Sequence, residues 1–115
     1  MFISNLAQTS KMKVEMAGAE GAWKQVPISK ENGAPNFSFR VFTVEPGGHT
    51  PWHAHPFEHE NYIIHGQGSL LVGEREHPLK KGDFALVLPG EKHQYRNTSI
   101  RQALVMICAV PKEYE

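Results

Sequence analysis

One cysteine, Cys108, is all that the chain carries in 115 residues. An intrachain disulfide is therefore excluded, and a disulfide-stapled secreted framework is not expected. Net charge is lacking too. Lys+Arg and Asp+Glu number 12 each, and a balanced chain offers no electrostatic footprint to nucleic acid or to an anionic membrane. No apolar run approaches the length that spans a bilayer; the longest lies near Ala103–Val110. Residues 1–12 hold no positive stretch followed by a long apolar one, so no signal peptide is expected and a cytoplasmic location is the default. No segment keeps a 3.6-residue apolar period, which leaves helix a minor part. There is no internal repeat, low-complexity tract or linker, and one domain over residues 1–115 is the simplest partition. A chain of this size buries roughly two-thirds of its unfolded surface, enough core to fold without staples.

What the chain does have is turn formers and strand formers. Gly at 10 and Pro at 8 punctuate short runs rich in Val, Ile, Phe and Tyr. Residues 1–10 are irregular. Lys11–Ala17 alternates and suits a half-buried strand, and Trp23–Ile28 reads as an edge strand because of Pro27. Phe37–Val44 alternates with large residues on both faces: Phe37, Phe39, Val41 and Thr43 on one, Ser38, Arg40, Phe42 and Val44 on the other. Glu45–Gly48 is a turn. Asn61–His65 and Ser69–Val72 are strands, Gly73–Pro78 a hairpin connection, Leu79–Asp83 a short strand with a tight turn, and Phe84–Leu88 a buried strand. His93–Arg96 and Gln102–Val110 complete the set, the last apolar on both faces so that its phase is open. Many short strands with turn signals every 8 to 12 residues predict an antiparallel sandwich or barrel.

Histidine is the residue in excess. Four of the seven fall between His49 and His59. The stretch His53-Ala54-His55-Pro56-Phe57-Glu58-His59-Glu60 is the densest cluster of candidate ligands, and His93 stands at the start of a later strand, after Pro89-Gly90. His53 and His55, two apart, share one face of an extended chain, and His59 keeps their parity. Barrel closure can bring His93 opposite. Imidazole suits several divalent transition metals, so the donor type narrows the ion only weakly. His49, His65 and His77 read as ordinary surface or core residues. Glu58 and Glu60 have the other parity; they read as surface groups, or as carboxylates that orient a ligand histidine. Arg40, Trp52, Phe57 and Tyr95 can line a pocket mouth, with barrel packing the plainer reading. Cys108 reads as a buried small hydrophobe, or as an oxidation target if it faces the metal. Lysine and arginine are scarce within the histidine motifs. That weighs against a sugar-phosphate substrate and for an apolar or aromatic substrate or a small organic acid.

These residues resemble the two cupin motifs. In the first, Gly47 stands five residues before His53-Ala54-His55 and Gly66 closes the motif. In the second, Gly82, Gly90, His93 and Asn97 fall in register, although Leu88 holds the usual proline position and Pro89 follows it. The motif's glutamate position is ambiguous. Counting back from Gly66 lands on His59, whereas Glu60 requires a shorter closing spacer. His59 is taken as the ligand. Over about residues 34–111 the chain resembles the small four-histidine manganese cupins. That resemblance implies an all-β double-stranded β-helix, or jelly-roll barrel, and one divalent metal ion per subunit on His53, His55, His59 and His93. It implies manganese first, with iron, nickel, zinc, copper or cobalt as options, and a homodimer that pairs or exchanges N-terminal strands. The function expected is a dioxygen-using metalloenzyme acting on a small organic substrate. The alternatives are a non-catalytic small-molecule or metal-binding module, used in sensing or storage, and a metal-dependent isomerase with Glu60 as base. A fold of this kind hosts many activities, so the family alone does not choose among them.

Overall fold

The alternation expected along Gln102–Val110 becomes a strand at Leu104–Pro111, and its phase is now fixed. Leu104, Met106, Cys108 and Val110 are each at most 1 % exposed, while the residues between them are only half-buried. The computed structural model describes residues 1–115. Its strands are β1 (Met12–Lys13), β2 (Glu20–Ile28), β3 (Phe37–His49), β4 (His59–His65), β5 (Gln67–Val72), β6 (Arg75–Lys80), β7 (Phe84–Val87), β8 (His93–Arg96) and β9 (Leu104–Pro111). Three single-turn 3-10 helices, at Leu6–Gln8, Lys30–Asn32 and Lys112–Tyr114, are the only helical elements. None is long and apolar enough to cross a membrane.

All strand pairs are antiparallel, in the order β6-β5-β8-β3-β9-β4-β7, with β2 paired to β3 and β1 to β2. The sheet curls into a half-barrel. Its concave side holds a core of Ala22, Val44, Ile63, Leu70, Leu79, Val87, Tyr95, Leu104 and Met106. Dispersion and apolar burial in this cluster hold the curl closed.

Several boundaries differ from the sequence expectation. Only Met12–Lys13 of Lys11–Ala17 is strand, and Met12 and Met16 are exposed rather than half-buried. The turn expected at Glu45–Gly48 is absorbed into β3, because Gly47 takes a positive φ of 77° and bends the strand without ending it. The Gly73–Pro78 connection shortens to Gly73-Glu74, since Val72 already pairs with Arg75. Pro78 is tolerated because β6 is an edge strand. Phe84–Leu88 is buried on one face alone. Val87 is inside, but Phe84 and Leu86 are 78 % and 56 % exposed on the face turned away from the core, where Phe84 stacks on the Tyr62 ring.

Beyond β3 the chain keeps close to β8. Thr50 N–H donates to the Tyr95 carbonyl at 2.9 Å, His53 and His93 exchange backbone bonds of 3.2 and 2.9 Å, and Gly90 N–H donates to the His55 carbonyl at 2.8 Å. Residues 50–58 are therefore an irregular ribbon that leads into β4, and one isolated bridge sets His53 opposite His93. At the far end, Gly66 has φ 79°, and a Cβ there would run into the Ala103 carbonyl. Only glycine lets the β4–β5 turn pass so close to the start of β9.

Candidate metal centre

Four imidazoles converge at one end of the curled sheet. His53 and His55 come from the ribbon, His59 opens β4 and His93 opens β8. Ring centroids are 5.1 Å apart for His53–His55, His55–His59 and His53–His93, 5.0 Å for His59–His93 and 4.9 Å for His55–His93. Donor nitrogens of His53, His55 and His93 all lie within 4.8 Å of one another, close enough to share one metal ion. His59 joins through His93: their Nε2 atoms are 3.1 Å apart.

The other ring nitrogens show which tautomers are present. His55 Nδ1 lies 2.8 Å from the Phe57 carbonyl and His93 Nδ1 2.8 Å from the Glu91 carbonyl. Carbonyl oxygens only accept, so each Nδ1 carries the proton and each Nε2 keeps a free lone pair. His59 Nδ1 lies 2.6 Å from Asn61 Oδ1. Partners of this kind fix ring orientation and raise donor basicity in metal sites. They are two backbone carbonyls and an asparagine, not Glu58 or Glu60. Those two carboxylates are exposed and bond each other, which raises the Glu60 pKa above its ordinary value.

Burial lowers all four histidine pKa values, His59 most, to about 3. Desolvation is the largest cause in each case, and the neighbouring imidazoles and Arg40 add to it. The centre is a set of neutral donors near neutral pH.

The histidines open into a cavity of about 510 Å³. Arg40, Phe57 and Tyr95 line it, so the pocket reading of these three holds. Trp52 does not; its indole sits outside, 5.1 Å from Lys92 Nζ. Cys108 also lines the cavity. Burial pushes its thiol pKa up, against the opposing pull of the Arg40 guanidinium, whose Nη2 donates to Sγ at 3.0 Å. Burial likewise raises the Tyr95 phenol. His49, His65 and His77 stay outside, as expected.

Two parts of the wall were not expected. The segment Met12–Met16 forms one side, and Lys13 and Lys24 join Arg40 in bringing cations that the histidine motifs lack. Scarce lysine and arginine within the motifs said nothing about strands that precede them. One signal was present: Arg40 shares its face of Phe37–Val44 with Val44 and Phe42, and a charge on a core-facing parity calls for a partner.

A curled antiparallel sheet that gathers imidazoles at one end, beside an open cavity, defines a jelly-roll class with a possible histidine metal site. The model of the cupin domain matches residues 40–110, and the chain belongs to this family. It is 31 % identical over 90 residues to an uncharacterised protein of Aquifex aeolicus (strain VF5), covering 76 % of this chain and 72 % of that one. Among solved structures it resembles the polyketide cyclase RemF from Streptomyces resistomycificus, with 26 % identity, TM-score 0.90, and coverage of 96 % of this chain and 79 % of that one. It also shares its fold with a predicted oxalate decarboxylase from Thermotoga maritima, at 22 % identity, TM-score 0.86, and coverage of 96 % and 99 %.

Proposed function

We propose that the chain is a mononuclear metalloenzyme in which His53, His55, His59 and His93 hold one divalent transition metal ion, manganese first, and a small organic substrate enters the adjoining cavity. The 3.1 Å contact between His59 Nε2 and His93 Nε2 carries this reading. Both rings already donate through Nδ1, so two bare lone pairs face each other in a buried place. Two acceptors with no proton between them repel unless a cation lies beside both. When bound, a redox-active ion supplies the activation of dioxygen that an oxygenase needs.

The chain's own residues bind and orient the substrate and keep water out. Cys108 and Tyr95 are held protonated by burial, and Glu60 lies outside the cavity, which removes support for Glu60 as an isomerase base. With no poised base beside the histidines, oxygenase chemistry carried by the metal is favoured. A second reading, non-redox cyclisation, draws on the likeness to the polyketide cyclase RemF.

Oxygen uptake decides. Metal-loaded protein is supplied with alkene, catechol-like and organic-acid substrates on an oxygen electrode. Uptake matched by product is expected. Product without uptake moves the protein to the cyclase or isomerase class, and saturable binding with neither leaves a binding module.

The proposed homodimer draws support from β7, an edge strand whose outward residues Phe84 and Leu86, with Leu88 just past its end, are exposed and apolar. An apolar edge of this kind invites pairing with another chain. Light scattering at micromolar concentration is expected to give the dimer mass; a monomer mass removes the proposal.

A further inference from the structure

Residues 112–115, which follow β9, fold back onto the cavity wall. Tyr114 stacks on Phe57 with 4.0 Å between ring centroids, and Phe57 stacks on His55 at 3.8 Å. Beside this stack, Glu115 sends its carboxylate to the cavity's cations. Oε1 and Oε2 lie 2.9 and 3.2 Å from Lys24 Nζ, and Oε1 lies 3.7 Å from Arg40 Nη1.

Lys24 and Arg40 come from neighbouring strands, β2 and β3, and both line the cavity. Arg40 is the buried member, with a side chain 12 % exposed against 28 % for Lys24. A guanidinium brings five N–H donors. Here Nη2 meets a sulfur, Nη1 meets Glu115 only at the longer distance, and Nε is buried without a partner. Tyr95 Oη, on the same cavity wall, is also buried and unpartnered. A buried guanidinium is costly unless a planar acceptor meets it, and a carboxylate is the acceptor its fork fits. One carboxylate shared between two cations leaves this wall short of negative charge.

We propose that Lys24 and Arg40 form the carboxylate-binding subsite of the cavity, and that Glu115 fills it until the carboxylate of a small organic acid displaces it. The proposal rests on reading the cavity as the substrate site, and it narrows the substrate to organic acids. It also links ligand entry to the tail: freeing Glu115 loosens Tyr114 from the stack that reaches His55 through Phe57.

The test is a calorimetric titration of the metal-loaded full chain with benzoate, and with benzamide as its neutral isostere. Wild type is expected to prefer benzoate. A site held by an internal competitor about nine-tenths of the time binds about tenfold more weakly than the free site. Glu115→Gln is therefore expected to tighten benzoate about tenfold and leave benzamide unchanged. Glu113→Gln makes the same charge change two residues away at an exposed position and is expected to do little. Arg40→Gln is expected to erase the preference for benzoate. Equal effects of the Glu115 and Glu113 variants, or equal affinity for benzoate and benzamide in wild type, overturn the subsite. Elemental analysis of the same samples separates the two readings. Bound metal with no Glu115 effect removes the subsite alone, whereas a Glu115 effect without bound metal removes the metal reading alone.

Discussion

His59→Ala is expected to weaken divalent-metal affinity by a factor of about 100 or more, and Glu60→Ala to leave it unchanged. The two residues are neighbours on β4, and strand alternation sends them to opposite faces. His59 is 4 % exposed, and its Nε2 points at His93 Nε2. Glu60 is exposed and bonds Glu58. Asn61→Ala belongs between them. It leaves the donor in place and removes the oxygen that fixes the His59 tautomer, a change of the type that costs about 10–100-fold in other metal sites. Competition against a chromophoric chelator measures all three. The ranking His59, then Asn61, then Glu60 is the expected result. If Glu60→Ala cost more than His59→Ala, the glutamate of the usual cupin motif would be the ligand and the four-histidine assignment would be wrong.

Acid is expected to unfold the metal-free protein earlier than it unfolds a His59→Gln variant. In the unfolded chain a histidine takes its proton near pH 6.5, whereas burial holds the folded-state pKa of His59 down to about 3. Between those values only the unfolded state binds the proton, so stability falls as pH falls. This contribution is fully present above about pH 6.5. It is lost at about 1.4 kcal/mol per pH unit below that, until the folded protein also protonates near pH 3. His53 and His55 are only half-buried, and solvent screening makes their share smaller. Stability of protein stripped by a chelator is measured as the urea midpoint from pH 7.5 to 4.5. Wild type should slope more steeply than His59→Gln across that range. Parallel curves would show that His59 is solvated in the folded state and that the buried histidine centre does not form.

The histidine motif was legible because its constraints are local. Gly47 bends β3, Gly66 permits one close crossing, and Gly90 turns the chain into β8. These positions bracket His53, His55 and His93 within short segments, so spacing carried the geometry. The parity of β4, with His59 inward and Glu60 outward, could be counted for the same reason. The cavity wall was not legible in this way. Cys108 lies on a strand apolar on both faces, and only its pairing with β3 and β4 in a curled sheet turns Leu104, Met106, Cys108 and Val110 inward. Arg40 faces the cavity because Arg40 pairs with Cys108 across two strands far apart in sequence.

By itself, then, the sequence determined the β architecture, the family resemblance, and the convergence of His53, His55 and His93. Alternation, turn glycines and histidine spacing act over a few residues and survive without knowledge of the rest. Only the tertiary structure decided what surrounds those histidines: Asn61 behind His59, Lys24 and Arg40 on the wall, Cys108 and Tyr95 between them, and Glu115 folded back onto the cations. Those neighbours lie up to 91 positions apart in the chain and are brought together by the curl of the sheet. No local pattern encodes a contact made by closing a barrel.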